Sequence, residues 1–169
     1  MKMKLLVDDI EVSIGAEFQR YLVNCIPDSH VYSDLLHTLA QSNDADIRRD
    51  VADKDNISEE TALLLIDDKD PYVIDGILNS SAAKSVITLD KIKTIIETSG
   101  SEVVKTVISN IDEYEQIDSV EVADIIYKLN EPQFHLDLAS GWSTPKKILR
   151  KLAESDDPDI QTAANNNLD

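Results

Sequence analysis

A short acidic motif that returns five times constrains the fold of this chain more than any other feature. Ser42-Asn-Asp-Ala-Asp-Ile47, Asp68-Lys-Asp-Pro-Tyr-Val73 and Ser155-Asp-Asp-Pro-Asp-Ile160 are clear copies. Leu129-Asn-Glu-Pro-Gln-Phe134 also carries the proline, and Thr98-Ser-Gly-Ser-Glu-Val103 is the weakest copy. The apolar residues that close them, Ile47, Val73, Val103, Phe134 and Ile160, stand 26, 30, 31 and 26 residues apart. Near-regular spacing in this range marks stacked supersecondary units. The chemistry inside each copy is that of a helix start. Asp70, Glu131 and Asp157 each precede a proline. An Asp side chain accepts from orphan N–H groups, and proline at the first helical position sacrifices no hydrogen bond. Asp44 fits the same place without proline, and Glu131 is a poorer cap than Asp.

Each copy lies between two apolar-periodic stretches. Upstream run Leu35/Leu36/Leu39/Ala40, Ala62/Leu65/Ile66, Ile92/Ile95/Ile96, Val122/Ile125/Ile126/Leu129 and Ile148/Leu149/Leu152/Ala153. These spacings put one apolar stripe on a helix. Ser33, Ser58, Thr88, Ser119 and Thr144-Pro145 read as their starts. Downstream, apolar residues recur four positions on: Ile47/Val51, Val73/Ile77, Val103/Val107, Phe134/Leu138 and Ile160/Ala164. Each unit is thus a helix, an acidic turn and a second helix. A helix pair of this kind buries its stripe only by stacking on neighbours. The expected fold is all-α: a right-handed α-solenoid of about five two-helix repeats. An ordinary helical bundle is the alternative, and the joint recurrence of caps and spacing favours the solenoid.

Residues 1–30 stand outside the repeats and are expected to cap them. Residues 31–169 form the array, and the whole is expected to be one compact domain. Ile10, Val12 and Ile14 alternate like a strand, which Met1 to Val7 would join across Asp8-Asp9. Ala16 to Ile26 reads as a helix with Phe18, Tyr21, Leu22, Cys25 and Ile26 on one face. The chain ends on the fifth unit without a polar cap helix, which would leave that end free for self-association.

The last unit, Ser143-Thr-Pro-Lys-Lys-Ile-Leu-Arg-Lys-Leu-Ala-Glu-Ser-Asp-Asp-Pro-Asp-Ile-Gln-Thr-Ala-Ala-Asn-Asn-Asn167, resembles a leucine-rich repeat variant unit. The first unit, with its Ile47-Arg48 pair, is nearly as similar. More broadly, residues 31–169 look like HEAT and armadillo-type repeats. The resemblance implies an armadillo-like superhelix with a scaffold or binding role, and no activity. The family's Asn-Pro ending is missing after Asn79, Asn110 and Asn167, and the middle units are longer than the family's repeat. No cysteine cluster precedes the array, so the iron–sulfur domain of one branch is not implied.

Composition narrows the function. The 169 residues carry 16 Lys+Arg against 33 Asp+Glu, a net charge of −17. That excess excludes a general nucleic-acid binder and docking on anionic membranes. With 42% hydrophobic residues the chain is expected to fold despite its self-repulsion. Four Gly and five Pro are too few for the turns of a β-sandwich or barrel. One cysteine, Cys25, makes no internal disulfide and no cysteine-based zinc site. The first residues lack the apolar core of a signal peptide, and no apolar run is long enough to span a bilayer, so a cytoplasmic protein is expected.

Sites of chemistry are scarce. His30, Asp34 and His37 share a helical face, which raises a metal-binding or enzymatic alternative; a solvated face explains them as well. Cys25 lies on the apolar stripe and is expected to be buried and inert. The pairs Asp67/Asp68 and Asp156/Asp157 lack a calcium-loop pattern. No phosphate loop, nucleophile elbow or paired-histidine zinc motif is present, so neither enzyme activity nor a cofactor is expected.

Two binding functions remain. The first is a protein-interaction scaffold whose second helices line a groove with Arg48, Arg49, Ile74, Asp75, Val104, Lys105, His135 and Gln161. Ile74 and Val104 would be its apolar centre, unless they pack in the core. The second is an acidic nucleic-acid mimic of the phage or mobile-element type. Its ridge of Asp44, Asp46, Asp70, Glu131, Asp157 and Asp159 would block a basic surface of a DNA- or RNA-binding protein. Either way the partner is another protein, and the acidity suits a basic one.

Overall fold

The computed structural model describes residues 3–27 and 29–168. It is mostly helical, with one small sheet. The chain divides into two units, up to Ala83 and from Lys84. No described helix is long and apolar enough to cross a membrane.

The first unit opens with strands β1 (Met3–Val7) and β2 (Ile10–Ile14), paired antiparallel so that Val7 faces Ile10 and Met3 faces Ile14. The turn is Asp8-Asp9, with φ of 46° and 66°. A two-residue turn with both residues left-handed matches the twist of a hairpin, and Asp tolerates that region. Met3, Leu5, Val7, Ile10, Val12 and Ile14 share one face of this ribbon. Lys4 and Glu11 form an ion pair on the other. The helices are α1 (Ala16–Cys25), α2 (Ser33–Ala40), α3 (Ala45–Ala52), α4 (Glu59–Ile66) and α5 (Pro71–Leu78). A 3-10 turn, His30–Tyr32, precedes α2. Helix α6 (Ser81–Val86) runs across the division between the units.

Within this unit the helices form two layers. α2 pairs with α3 and α4 with α5; α2 also packs on α4, while α1, α3 and α5 pack in succession. Leu36, Leu39, Ile47, Val51, Leu65, Val73, Ile77 and Leu78 fill the space between layers. The second unit repeats the arrangement with α7 (Leu89–Thr98), α8 (Ser101–Ser109), α9 (Ser119–Lys128), α10 (Pro132–Ser140), α11 (Lys146–Leu152) and α12 (Pro158–Leu168). Its pairs are α7/α8, α9/α10 and α11/α12. α7, α9 and α11 form one layer, and α8, α10 and α12 the other. Ile92, Val107, Ile126, Leu138, Ile148 and Leu152 are buried between them.

The caps explain where these helices begin. Asp44 accepts from the Asp46 N–H at 3.0 Å and Asp70 from the Tyr72 N–H at 2.9 Å. Asp157 accepts from Asp159 at 2.9 Å and Ile160 at 3.3 Å. Glu131 makes no cap bond, as its longer side chain suggests, and Gly100 has no side chain to offer. Ser58 and Thr88 cap α4 and α7 as expected. Three starts shift by one residue. Ser33 lies inside α2 after Tyr32, Asp118 rather than Ser119 caps α9, and Pro145 rather than Thr144 precedes α11. At α9 the Asp118 carboxylate accepts from the Val120 N–H at 2.8 Å and so sets the start one residue earlier.

Two further expectations need correction. Leu129 is 38% exposed and Phe134 only half-buried, so the fourth stripe is narrower than its sequence. The α1 face is also rotated. Gln19, Val23 and Ile26 are buried, whereas Phe18, Tyr21 and Cys25 face solvent. Polar anchors set that rotation. Gln19 Nε2 donates to the Ile14 carbonyl at 3.1 Å, and Arg20 reaches Asp50 at 3.0 Å and Asp46 at 3.3 Å on α3. Cys25 is therefore an exposed thiol, not a buried one.

Candidate functional site

Several residues expected to line a groove are occupied in holding the fold. Arg48 on α3 forms a forked pair with Asp68, Nε to Oδ2 at 2.6 Å and Nη2 to Oδ1 at 2.8 Å. Its third nitrogen donates to the Ser42 carbonyl at 2.9 Å. Asp68 Oδ1 also accepts from the Asp70 N–H at 2.9 Å. Burial alone would raise the Asp68 carboxyl. The Arg48 hydrogen bond, the backbone donors and the Arg48 charge outweigh it and hold the group below its ordinary range. Arg48 thus ties α3 to the turn that starts α5, a structural task.

Ile74 and Val104 are buried, 8% and 1% exposed, so they are core and not an apolar centre open to a partner. Adjacent residues Val73 and Ile74 on α5, and Val103 and Val104 on α8, are buried together, so the apolar stripe on these helices is wider than the four-residue spacing alone. Asp75 is half-buried. Lys105 pairs with Glu102 at 3.0 Å on its own helix. Arg49 is exposed, its guanidinium 5.6 Å from the Tyr72 ring centre, and Gln161 is exposed on α12.

His135 joins a compact cluster. Its ring stacks on Tyr127 at 4.8 Å and 17°, and Nε2 donates to the Tyr127 carbonyl at 2.8 Å. Lys151 lies 5.0 Å over the same Tyr127 ring. Asp124 bridges Lys128 at 2.6 Å and Lys151 at 2.7 Å, which lowers its carboxyl to about 2. The cluster fastens α9 to α10 and α11.

Of the ridge acids, Asp44, Asp70 and Asp157 are caps and Asp46 is paired with Arg20; Glu131 and Asp159 are exposed. Net charge is −10 in the first unit, with seven basic and 17 acidic residues, and −7 in the second, with nine and 16. His37 Nδ1 bonds Thr61 Oγ1 at 3.0 Å, which engages it away from His30 and Asp34. Among the described residues, no group of three or more His, Cys, Asp or Glu stands together at metal-holding distance.

Two surfaces escaped the sequence reading. The hairpin leaves its apolar face largely uncovered, with Ile10 at 66% exposed. Trp142, between Gly141 and Ser143, is 97% exposed. Its signal was an indole placed in a glycine–serine turn, outside every apolar stripe. No family model, no curated protein and no solved structure matches the chain, and the functional reading rests on these residues alone.

Proposed function

We propose that this chain is a non-catalytic protein-binding scaffold of the α-solenoid type, related in design to the leucine-rich repeat variant, HEAT and armadillo repeats, and that its partner presents a basic surface. The observation that carries the reading is the layering. Inside each unit, first helices pack on first helices and second on second. Stacked helix pairs of this kind generate extended binding surfaces, with each repeat touching only its neighbours. The charge of −17 supplies the electrostatic complement to a basic protein. Acidic caps at Asp44, Asp70 and Asp157 give the regular acid spacing a structural reason, which favours a scaffold over a nucleic-acid mimic.

The test is affinity capture with the full chain from its native host. The expected partner is a basic protein, released by roughly half-molar salt as screening removes the long-range attraction. Failure to retain any basic protein at low salt would sink the reading. Displacement of a nucleic acid from the captured partner would favour the mimic instead.

A further inference from the structure

We propose that the cleft beneath Trp142 receives a cationic side chain, the guanidinium of an arginine presented by the partner. The assignment rests on the protein-binding reading above and sharpens it to one contact.

The cleft, about 430 Å³, is lined by Lys105 and Ser109 of α8, Asp137 and Ser140 of α10, and Trp142 in the turn that follows. Four features of its chemistry agree. The first is the carboxylate. Asp137 Oδ1 accepts from Gln133 Nε2 at 2.9 Å, but Oδ2 is buried and has no donor. The carboxylate as a whole brings a negative charge to the cleft wall, which an entering cation offsets.

The second is the backbone field. α8 ends at Ser109 and α10 at Ser140, and the two helices pack together, so two C-terminal ends border one cleft. Each such end carries partial negative charge, which a cation offsets. Neither helix has a basic residue in its last turn. Asn167 Nδ2 donates to the Ala139 and Gly141 carbonyls at 3.2 and 2.6 Å, which holds the turn without adding positive charge.

The third is the indole. A tryptophan left 97% exposed keeps an apolar surface in water and presents a π-face to its surroundings. The turn is built tightly under it. A Cβ on Gly141 would stand 3.0 Å from Thr144 Oγ1 and 3.2 Å from the Asp137 carbonyl oxygen, so glycine lets this turn lie against α10. The fourth is the competing cation. Lys105 lines the cleft, but its ammonium is held by Glu102, one turn back toward the helix start. The Glu102 hydrogen bond and charge raise its pKa, and the Asp137 charge contributes least.

Guanidinium fits this set better than the alternatives. Its plane stacks on an indole while its forked N–H groups reach a carboxylate and a hydroxyl together. A divalent metal would need several oxygen ligands, and the cleft offers one carboxylate.

Trp142 is the only tryptophan, so selective indole excitation reports this site alone. The full chain is titrated with N-acetyl-arginine amide, N-acetyl-lysine amide and sodium chloride at matched ionic strength. The expected result is a saturable change in Trp142 emission with the arginine compound, at lower concentration than with lysine, and none with salt. Asp137→Asn keeps the shape and is expected to weaken arginine binding about tenfold. Lys105→Met removes the competing charge and is expected to tighten it about twofold. Circular dichroism of both variants verifies their folding. Equal responses to arginine, lysine and salt, or unchanged arginine binding in Asp137→Asn, would overturn the assignment. The two readings separate cleanly. A basic partner that binds Asp137→Asn as tightly as the parent removes the cleft and leaves the scaffold. Arginine binding at the cleft with no basic protein captured removes the scaffold and leaves the cleft.

Discussion

Asp68 shows how a single residue can serve as cap support, ion-pair partner and titrating group. Its carboxyl is held below the ordinary range, so it contributes stability that is complete above about pH 4. That contribution is lost as pH falls through the lowered folded value. Arg48→Met is expected to cost about 2 kcal/mol at neutral pH, since it leaves a mostly buried carboxylate with backbone donors but without its cationic partner. The gap to the parent should narrow in acid, where Asp68 is protonated in both; denaturant titrations across pH measure it. Tyr114 offers the opposite case. Its hydroxyl is buried without a partner, and burial pushes its ionisation well above the usual phenol range. Tyr114→Phe should be neutral or raise the melting temperature, because it removes an unsatisfied group. In the parent, stability should decline above about pH 10, where the unfolded phenol ionises and the folded one does not. Asp70 as a cap was legible because the cap bond spans two residues. The Arg48 partner lies 20 residues away, and no local pattern announces it.

Helix boundaries were readable to within a residue wherever one polar side chain governed them. α9 tests the rule, since Asp118 and Ser119 compete for its start. Asp118→Ala is expected to cost about 1 kcal/mol and Ser119→Ala close to nothing, as thermal unfolding would show. The other end of α9 closes on Asn130, left-handed at φ 56°, which is a favoured residue there after glycine. The hairpin turn was legible from Asp8-Asp9, because alternation on either side left two residues for the reversal. Asp9→Gly should stabilise that turn by about 0.5–1 kcal/mol, seen as slower amide exchange at Val7 and Ile10. The rotation of α1 was not legible. Five apolar residues suggested one face, and the bonds of Gln19 and Arg20 selected another.

Across the molecule, periodicity revealed the helix pairs because every pair must bury a stripe. It did not reveal which apolar residues stay outside, since Leu5, Ile10 and Phe18 are as hydrophobic as those within. α12 turns Gln161, Thr162, Asn165 and Asn166 to solvent, and in the first unit the hairpin and α1 carry exposed apolar side chains instead. At −17, intramolecular repulsion opposes folding at low ionic strength. Raising salt from low to roughly half-molar should therefore raise the melting temperature, by a calorimetric scan, while it weakens binding to a basic partner.

The exposed Cys25 carries a practical consequence. It is the chain's one thiol, and it lies in the first unit; Trp142 is the one indole, and it lies in the second. A dye coupled to that sulfur would report on the first unit and the indole on the second, so the unaltered sequence already carries one spectroscopic probe in each. Their two signals would tell which unit a partner touches, with no residue added or removed.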